Sequence, residues 1–232
     1  MWRFPNSLQF WVIRLFILWT GLNATYGKEL DQKILNIYLG SAFASTDQLV
    51  KFTHVPAASV YCNEGTCHPQ AEKLTKILDG AVTVKPTDSE NSGADIEILF
   101  YPNPTARLQS KNQYTAIAGE VLGKLVHENC AAMQSRRGFE VVKVTIVVTE
   151  DAGPKQNLVC IVNELVRGAG MTVEGRYPEY LKSYLEIDES RLETALRGIV
   201  LFLAMHVSPS TQPGQDRATV GDELKSNFIT YN

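Results

Sequence analysis

The chain has 232 residues, 44% hydrophobic and 20% charged, with a formal net charge of -3. That length and apolar content support one sizeable core and exclude wholesale disorder. The acidic balance excludes non-specific nucleic-acid binding, which needs a basic stripe, and argues against an anionic membrane surface as the main partner.

Residues 1–27 read as a secretory signal peptide and not as part of the fold. Arg3 precedes the apolar stretch Phe10 to Trp19, and the small and polar run "TGLNATYG" follows. This is the order of charged region, apolar region and cleavage site, with cleavage after Ala24 or Gly27. Arg14 interrupts the apolar run, which is shorter than the roughly 20 residues of a spanning helix. A retained anchor is the alternative, but no stable membrane span is expected once the signal is cleaved. Removing these residues takes away two basic residues and no acid, leaving 20 basic against 25 acidic residues, a net of -5. A single domain is expected over residues 28–232, with no internal repeat and no composition break.

The first elements follow from periodicity. Leu30, Ile34, Ile37 and Tyr38 mark one or two helical turns. "ASVYC" at Ala58–Cys62 is a short strand. "HPQAEKLTKILDG" is a helix with Pro69 in its first turn, Leu74, Ile77 and Leu78 on one face and Gly80 at its end. "AVTVKP" alternates like a strand and is expected to stop at Pro86. "ADIEILFYP" is the next strand, with Ile96, Ile98 and Phe100 on one face. "NQYTAIAGEVLGKLVHENCAAM", ending at Met133, reads as a helix despite Gly119 and Gly123. "FEVVKVTIVVTE" is the strongest strand, rich in β-branched residues. A helix from "DAGP" onward holds Cys160–Met171. Asp188 or Ser190 caps a last long helix ending at His206, and the Pro/Gly-rich, polar tail from Ser208 is expected to wrap the surface. The order β-α-β-β-α-β-α-α defines an α/β (α+β) domain with a mixed sheet and packed helices.

Cys62, Cys67, Cys130 and Cys160 all follow the signal, and an even count in an exported chain implies two disulfides. Cys62 and Cys67 bracket the turn-like "NEGT" and are plausible partners, which leaves Cys130 with Cys160. The competing arrangement, a metal cluster of Cys62, Cys67, His68 and His54, fits no common zinc spacing.

The stretch "CIVNELVRGAGM" carries the sharpest signal. With histidine at positions 163 and 167 its centre would read H-E-x-x-H-x-x-G, a zinc helix. Two imidazoles four residues apart share a helical face and hold Zn²⁺, while the intervening Glu polarises bound water. Here Asn163 and Arg167 stand at the ligand positions, Glu164 at the base position and Gly170 at the turn. A third ligand would fall at Val173, which cannot ligate. Arginine has only donors and stays protonated, so no metal and no other cofactor is expected. Either the Arg167 guanidinium occupies the metal's place beside Glu164, or the two form an ordinary surface pair on a helix whose core face is Leu158, Ile161, Val162, Leu165 and Ala169.

"GADIEILF" at Gly93–Phe100, the Asn163–Gly170 helix and the later helix Ser190–His206 together resemble the zincin metalloproteases. The span Cys160–Asp216, with "NELVRGAGM", "SYLEID" and "PGQD", is similar to a degenerate zincin-like domain of uncharacterised bacterial exported proteins. Gly168-Ala169-Gly170-Met171 and Pro213-Gly214-Gln215 match that family's motifs in part. The resemblance implies a zincin-like fold and an envelope location, periplasmic or extracellular, but no activity.

Other candidates are weaker. His127-Glu128 lacks a second ligand, because position 131 is Ala. His206 ends a long helix, where the dipole favours a cation. Glu186, Asp188 and Glu189 form an acidic cluster without a calcium-loop glycine. Tyr177, Tyr180 and Tyr184 line a groove or pack on the helix. There is no G-x-S-x-G elbow and no Gly-rich phosphate loop. The expectation is therefore a non-catalytic, pseudoenzyme-like module that binds a protein or envelope component through Asn163, Glu164, Arg167, Tyr177 and Tyr180. The alternatives are a peptidase-like hydrolase with Glu164 as general base, and an accessory subunit of an envelope assembly.

Overall fold

The computed structural model describes residues 32–62, 67–103, 125, 129–171 and 187–227. The elements within them are α1 (Gln32–Ala42), β1 (Ala57–Cys62), α2 (His68–Leu78), β2 (Thr83–Thr87), β3 (Ile96–Tyr101), β4 (Cys130–Arg137) and β5 (Glu140–Thr149). A 3₁₀ turn (Glu150–Ala152), α3 (Pro154–Gly168), α4 (Glu189–His206) and α5 (Arg217–Asn227) follow. The signal segment, Gly119, Gly123, His127, Val173, the three tyrosines and Glu186 lie outside the described residues.

The five strands form one mixed sheet in the order β2-β1-β3-β5-β4. β1 runs parallel to β2 and β3, and β3 parallel to β5, while β4 returns antiparallel on the outer side of β5. The fold class is α/β. Ile96, Ile98 and Phe100 of β3 join Val144, Ile146 and Val148 of β5 in the main core, with Leu74 and Leu78 of α2, Ile161 and Leu165 of α3, and Leu196 and Leu203 of α4. The alternate residues Leu99, Tyr101 and Val147 face the other way and join Ala131 and Leu125 in a smaller cluster. This alternation is the period-two signature of strands buried on both faces.

Several expectations are corrected. Cys130–Met133 begins strand β4 and does not end a helix. The break is Asn129, whose φ of +62° is left-handed and cannot continue a right-handed helix. Ala131 and Ala132 favour a helix locally, but pairing with Val147 and Ile146 overrides that propensity. β2 continues through Pro86 to Thr87; Pro86 is tolerated because β2 is an edge strand with an open side. In α1 the buried face is Leu35, Tyr38 and Leu39, while Ile37 is exposed.

The polar tail contains a regular element that the expectation of a surface wrap did not include. It carries α5, whose first turn is capped where Asp216 Oδ1 accepts the Thr219 N–H at 2.9 Å. Only Val220, Gly221 and Leu224 of α5 are buried, too few to give a clear apolar stripe in sequence. The segment before β1 ties this tail to the sheet. Gln48 bridges Asp216 antiparallel, and Lys51 bridges Glu140 parallel.

Both disulfides are present, Cys62–Cys67 and Cys130–Cys160, with Cα separations of 5.7 Å and 6.1 Å. The metal-cluster alternative at Cys62 and Cys67 is thereby removed, and His54 instead pairs with Asp95 at 3.1 Å. Among the described residues no helix is long and apolar enough to cross a membrane.

Candidate functional site

The helix that carries Asn163, Glu164 and Arg167 is α3. Pro154 opens it, at a position where the missing N–H costs nothing. Gly170 ends it at a φ of +114°, and a Cβ there would stand 2.0 Å from the Val50 carbonyl oxygen. Glycine is therefore demanded twice, by conformation and by space.

The helix is not a surface element. Leu158, Ile161, Val162, Leu165 and Ala169 are buried as the periodicity predicts, but so are Asn157, Asn163 and Glu164. The reading of Glu164–Arg167 as a surface pair is corrected: Glu164 is 1% exposed and Arg167 39%, with Arg167 Nη1 donating to Glu164 Oε1 at 3.1 Å. The other carboxylate oxygen, Oε2, accepts the backbone N–H of Ala132 on β4 at 2.8 Å. Each oxygen of Glu164 thus already holds a donor, and the group sits where solvent scarcely reaches.

Three contacts of this kind run along the helix in regular steps. Cys160 is bonded to Cys130, Glu164 binds Ala132, and the Gly168 carbonyl accepts Gln134 Nε2 at 2.5 Å. The helix partners are four apart and the strand partners two apart. Four helical residues advance about 6 Å and two strand residues about 6.7 Å, so the two repeats stay in step for three rungs. Glu164 is the middle rung of a ladder that fastens the sheet's outer strand to the helix. Because β4 is antiparallel, backbone groups of alternate residues point away from β5, and Ala132 is one of these.

Sequence reasoning missed Ala132 and Gln134 because it placed the first of them in a helix. It also missed a polar hub at the helix's far end. His206 Nε2 lies 2.8 Å from the Val50 carbonyl and 3.0 Å from that of Ala169, while Nδ1 lies 3.1 Å from the Tyr38 hydroxyl. Two acceptors at Nε2 require its proton there, so Nδ1 accepts from Tyr38. The expectation of a cationic, dipole-favoured His206 is corrected: burial pushes its pKa down to about 4, and the ring is neutral. Lys51, also buried, donates through Nζ to the carbonyls of Ser208 and Thr211 and to Thr211 Oγ1. Burial lowers its pKa to about 8. Lys51 thus pins the segment after α4 to the residues before β1, and His206 pins the end of α4 to Val50, Ala169 and Tyr38.

Among the described residues no cluster of three or more His, Cys, Asp or Glu is placed to hold a metal ion. Asp188 stands at the N-cap position of α4 without a side-chain capping bond.

The chain is thus an α/β protein with a five-stranded mixed sheet and a motif helix laced to its outer strand. Comparison with family models, with curated proteins and with solved structures gives no match.

Proposed function

We propose that the chain is an exported, non-catalytic binding module of zincin-like type, engaging a protein or other envelope component beside Arg167 and the outer edge of β4. The observation that carries this reading is the engagement of Glu164. A general base must lie within hydrogen-bond reach of the proton it removes, directly or through one water. Glu164 gives one oxygen to a guanidinium and the other to a backbone amide. In this role the carboxylate is a fastener. Arg167 is 39% exposed and has more donors than the one it gives Glu164, and arginine at such a place binds carboxylates and backbone carbonyls well. The succession of a mixed sheet, the motif helix and a further long helix supports the zincin-like reading. Two disulfides support export.

The test is metal analysis of the purified protein together with peptide hydrolysis by the wild type and Glu164→Gln. Substoichiometric zinc, and a substitution that alters stability alone, are expected. Stoichiometric zinc held on this helical turn, or hydrolysis abolished by Glu164→Gln at unchanged stability, would overturn the reading.

A further inference from the structure

The two disulfides sit in unlike surroundings. Cys130 and Cys160 are both buried, and their bridge lies in the main core between β4 and α3. Cys62 and Cys67 differ from one another. Cys62 ends β1 and is only partly buried, at the margin of that core. Cys67 is 1% exposed and stands at the N-cap position of α2. Access decides which sulfur of a disulfide an incoming thiolate attacks, and here the accessible one is Cys62.

The leaving sulfur is favoured as well. Cys67 makes no side-chain capping bond while it is joined to Cys62. Its carbonyl accepts the N–H of Gln70 at 2.9 Å and of Ala71 at 3.0 Å, as the first turn of a helix requires. An N-cap side chain ordinarily accepts from the second or third helical N–H. The second residue is Pro69, which has none, so the donor for a freed Cys67 sulfur is Gln70. Burial opposes a charge at this place, and that N–H with the positive end of the helix offsets it. Loop length acts in the same direction. A fold favours a disulfide by as much as the disulfide favours the fold. Separations of 30 and 5 residues, taken to the three-halves power, make the short bridge about fifteenfold easier to open.

From this asymmetry we infer that Cys62 is a thiol-exchange site, which takes a low-molecular-weight thiol as a mixed disulfide while Cys130–Cys160 stays closed. The incoming thiolate attacks Cys62 Sγ, the Cys62–Cys67 bond breaks, and its electron pair leaves on Cys67 Sγ. A second thiolate attacks the sulfur of the first thiol, releasing the two thiols as their disulfide and Cys62 as a thiolate. Two thiols are oxidised, one protein disulfide is reduced, and the protons the thiols lose pass through water to the two cysteines. The exchange is felt at the motif helix. Gln70, in the first turn of α2, accepts from Asn157 Nδ2 in the first turn of α3 at 3.4 Å. Opening the bridge unties α2 from β1 and loosens that contact, at the end of α3 far from Arg167. The response stays local because Cys130–Cys160 still holds α3 to β4.

The test is reaction of the full chain with reduced glutathione without denaturant, quenched by acid and alkylation and read by peptide mass spectrometry. Cys62–Cys67 should open at least about tenfold faster than Cys130–Cys160, with the glutathione adduct on Cys62. Single variants with oxidised glutathione give a second reading. Cys67→Ser, which keeps an N-cap acceptor, should take up the adduct at least about tenfold faster than Cys62→Ser. Hydrogen exchange at the Gln70 and Ala71 amides should rise on reduction while the Ala132 amide stays protected. Equal opening of the two bridges, opening only in denaturant, an adduct on Cys67, or unchanged exchange at Gln70 would overturn the inference.

Discussion

The carboxylate of Glu164 leaves helix α3 to take the backbone N–H of Ala132 at 2.8 Å, across to the antiparallel strand β4. A residue that stands at the base position of a zinc-helix pattern is here the link between two elements. Replacing it by Ala strands the amide of Ala132 and should cost about 2–3 kcal/mol, read by urea unfolding. Glu164→Gln should cost less, because its amide oxygen still accepts the Ala132 N–H. Arg167→Ala should cost at most about 1 kcal/mol, because its side chain is 39% exposed and solvent screens the pair. An arginine loss larger than the glutamate loss would contradict this order.

The two disulfides differ in what they constrain. Cys130–Cys160 closes a separation of 30 residues and Cys62–Cys67 one of 5. The chain-entropy relation gives about 4 kcal/mol for the first and about 2 kcal/mol for the second. Paired Cys→Ala variants should separate accordingly in denaturant midpoint. The longer bridge should also loosen the ladder, so hydrogen exchange at the Ala132 amide is expected to rise in Cys130→Ala/Cys160→Ala and to stay unchanged in Cys62→Ala/Cys67→Ala.

Much of the fold is legible in sequence because its strongest strands are β-branched and its helices amphipathic. Ile96, Ile98 and Phe100 alternate, and Leu74, Ile77 and Leu78 share a face, so both elements declare themselves. β4 does not. Cys130-Ala131-Ala132-Met133 has no β-branched residue, and only pairing with Val147 and Ile146 makes it a strand. α5 is equally hidden, since its burial rests on Val220, Gly221 and Leu224. The site was half legible. The spacing of Asn163, Glu164 and Arg167 places them on one helix, but Glu164's partner comes from a strand that local propensity denies. His206 looked like a helix-end cation because nothing local shows that Tyr38, Val50 and Ala169 enclose it.

Gly170 tests the helix end. Its φ of +114° strains any L side chain, and a Cβ would collide with the Val50 carbonyl oxygen at 2.0 Å. That carbonyl also receives His206, so it cannot withdraw without breaking the hub. Gly170→Ala should therefore cost at least about 3 kcal/mol. Gly80 has a positive φ of +85° but open space around its missing Cβ. Gly80→Ala carries the conformational strain alone and should cost about 1–2 kcal/mol. Comparable losses in the two variants, measured by thermal unfolding, would mean that the close approach to Val50 is relieved cheaply.

His206 links stability to pH. Its folded pKa lies near 4, lowered first by burial, against 6.5 for the free side chain. Below pH 6.5 the unfolded chain takes up a proton that the folded chain refuses until pH approaches 4. The stabilisation is therefore complete above pH 6.5 and is lost progressively as pH falls between these values. The full loss is about 3 kcal/mol, from 1.36 kcal/mol per pH unit. Paired carboxylates also weaken folding in acid, so the variant His206→Asn separates the causes. It should be less stable at pH 7, lacking the ring's bonds to Tyr38, Val50 and Ala169, yet show a shallower decline toward pH 4.5. Nuclear magnetic resonance supplies a direct reading. The His206 ring resonances should stay in the neutral form down to about pH 5. A His206 ring that is protonated at pH 6 in the folded protein would contradict the arrangement of Tyr38, Val50 and Ala169 around it.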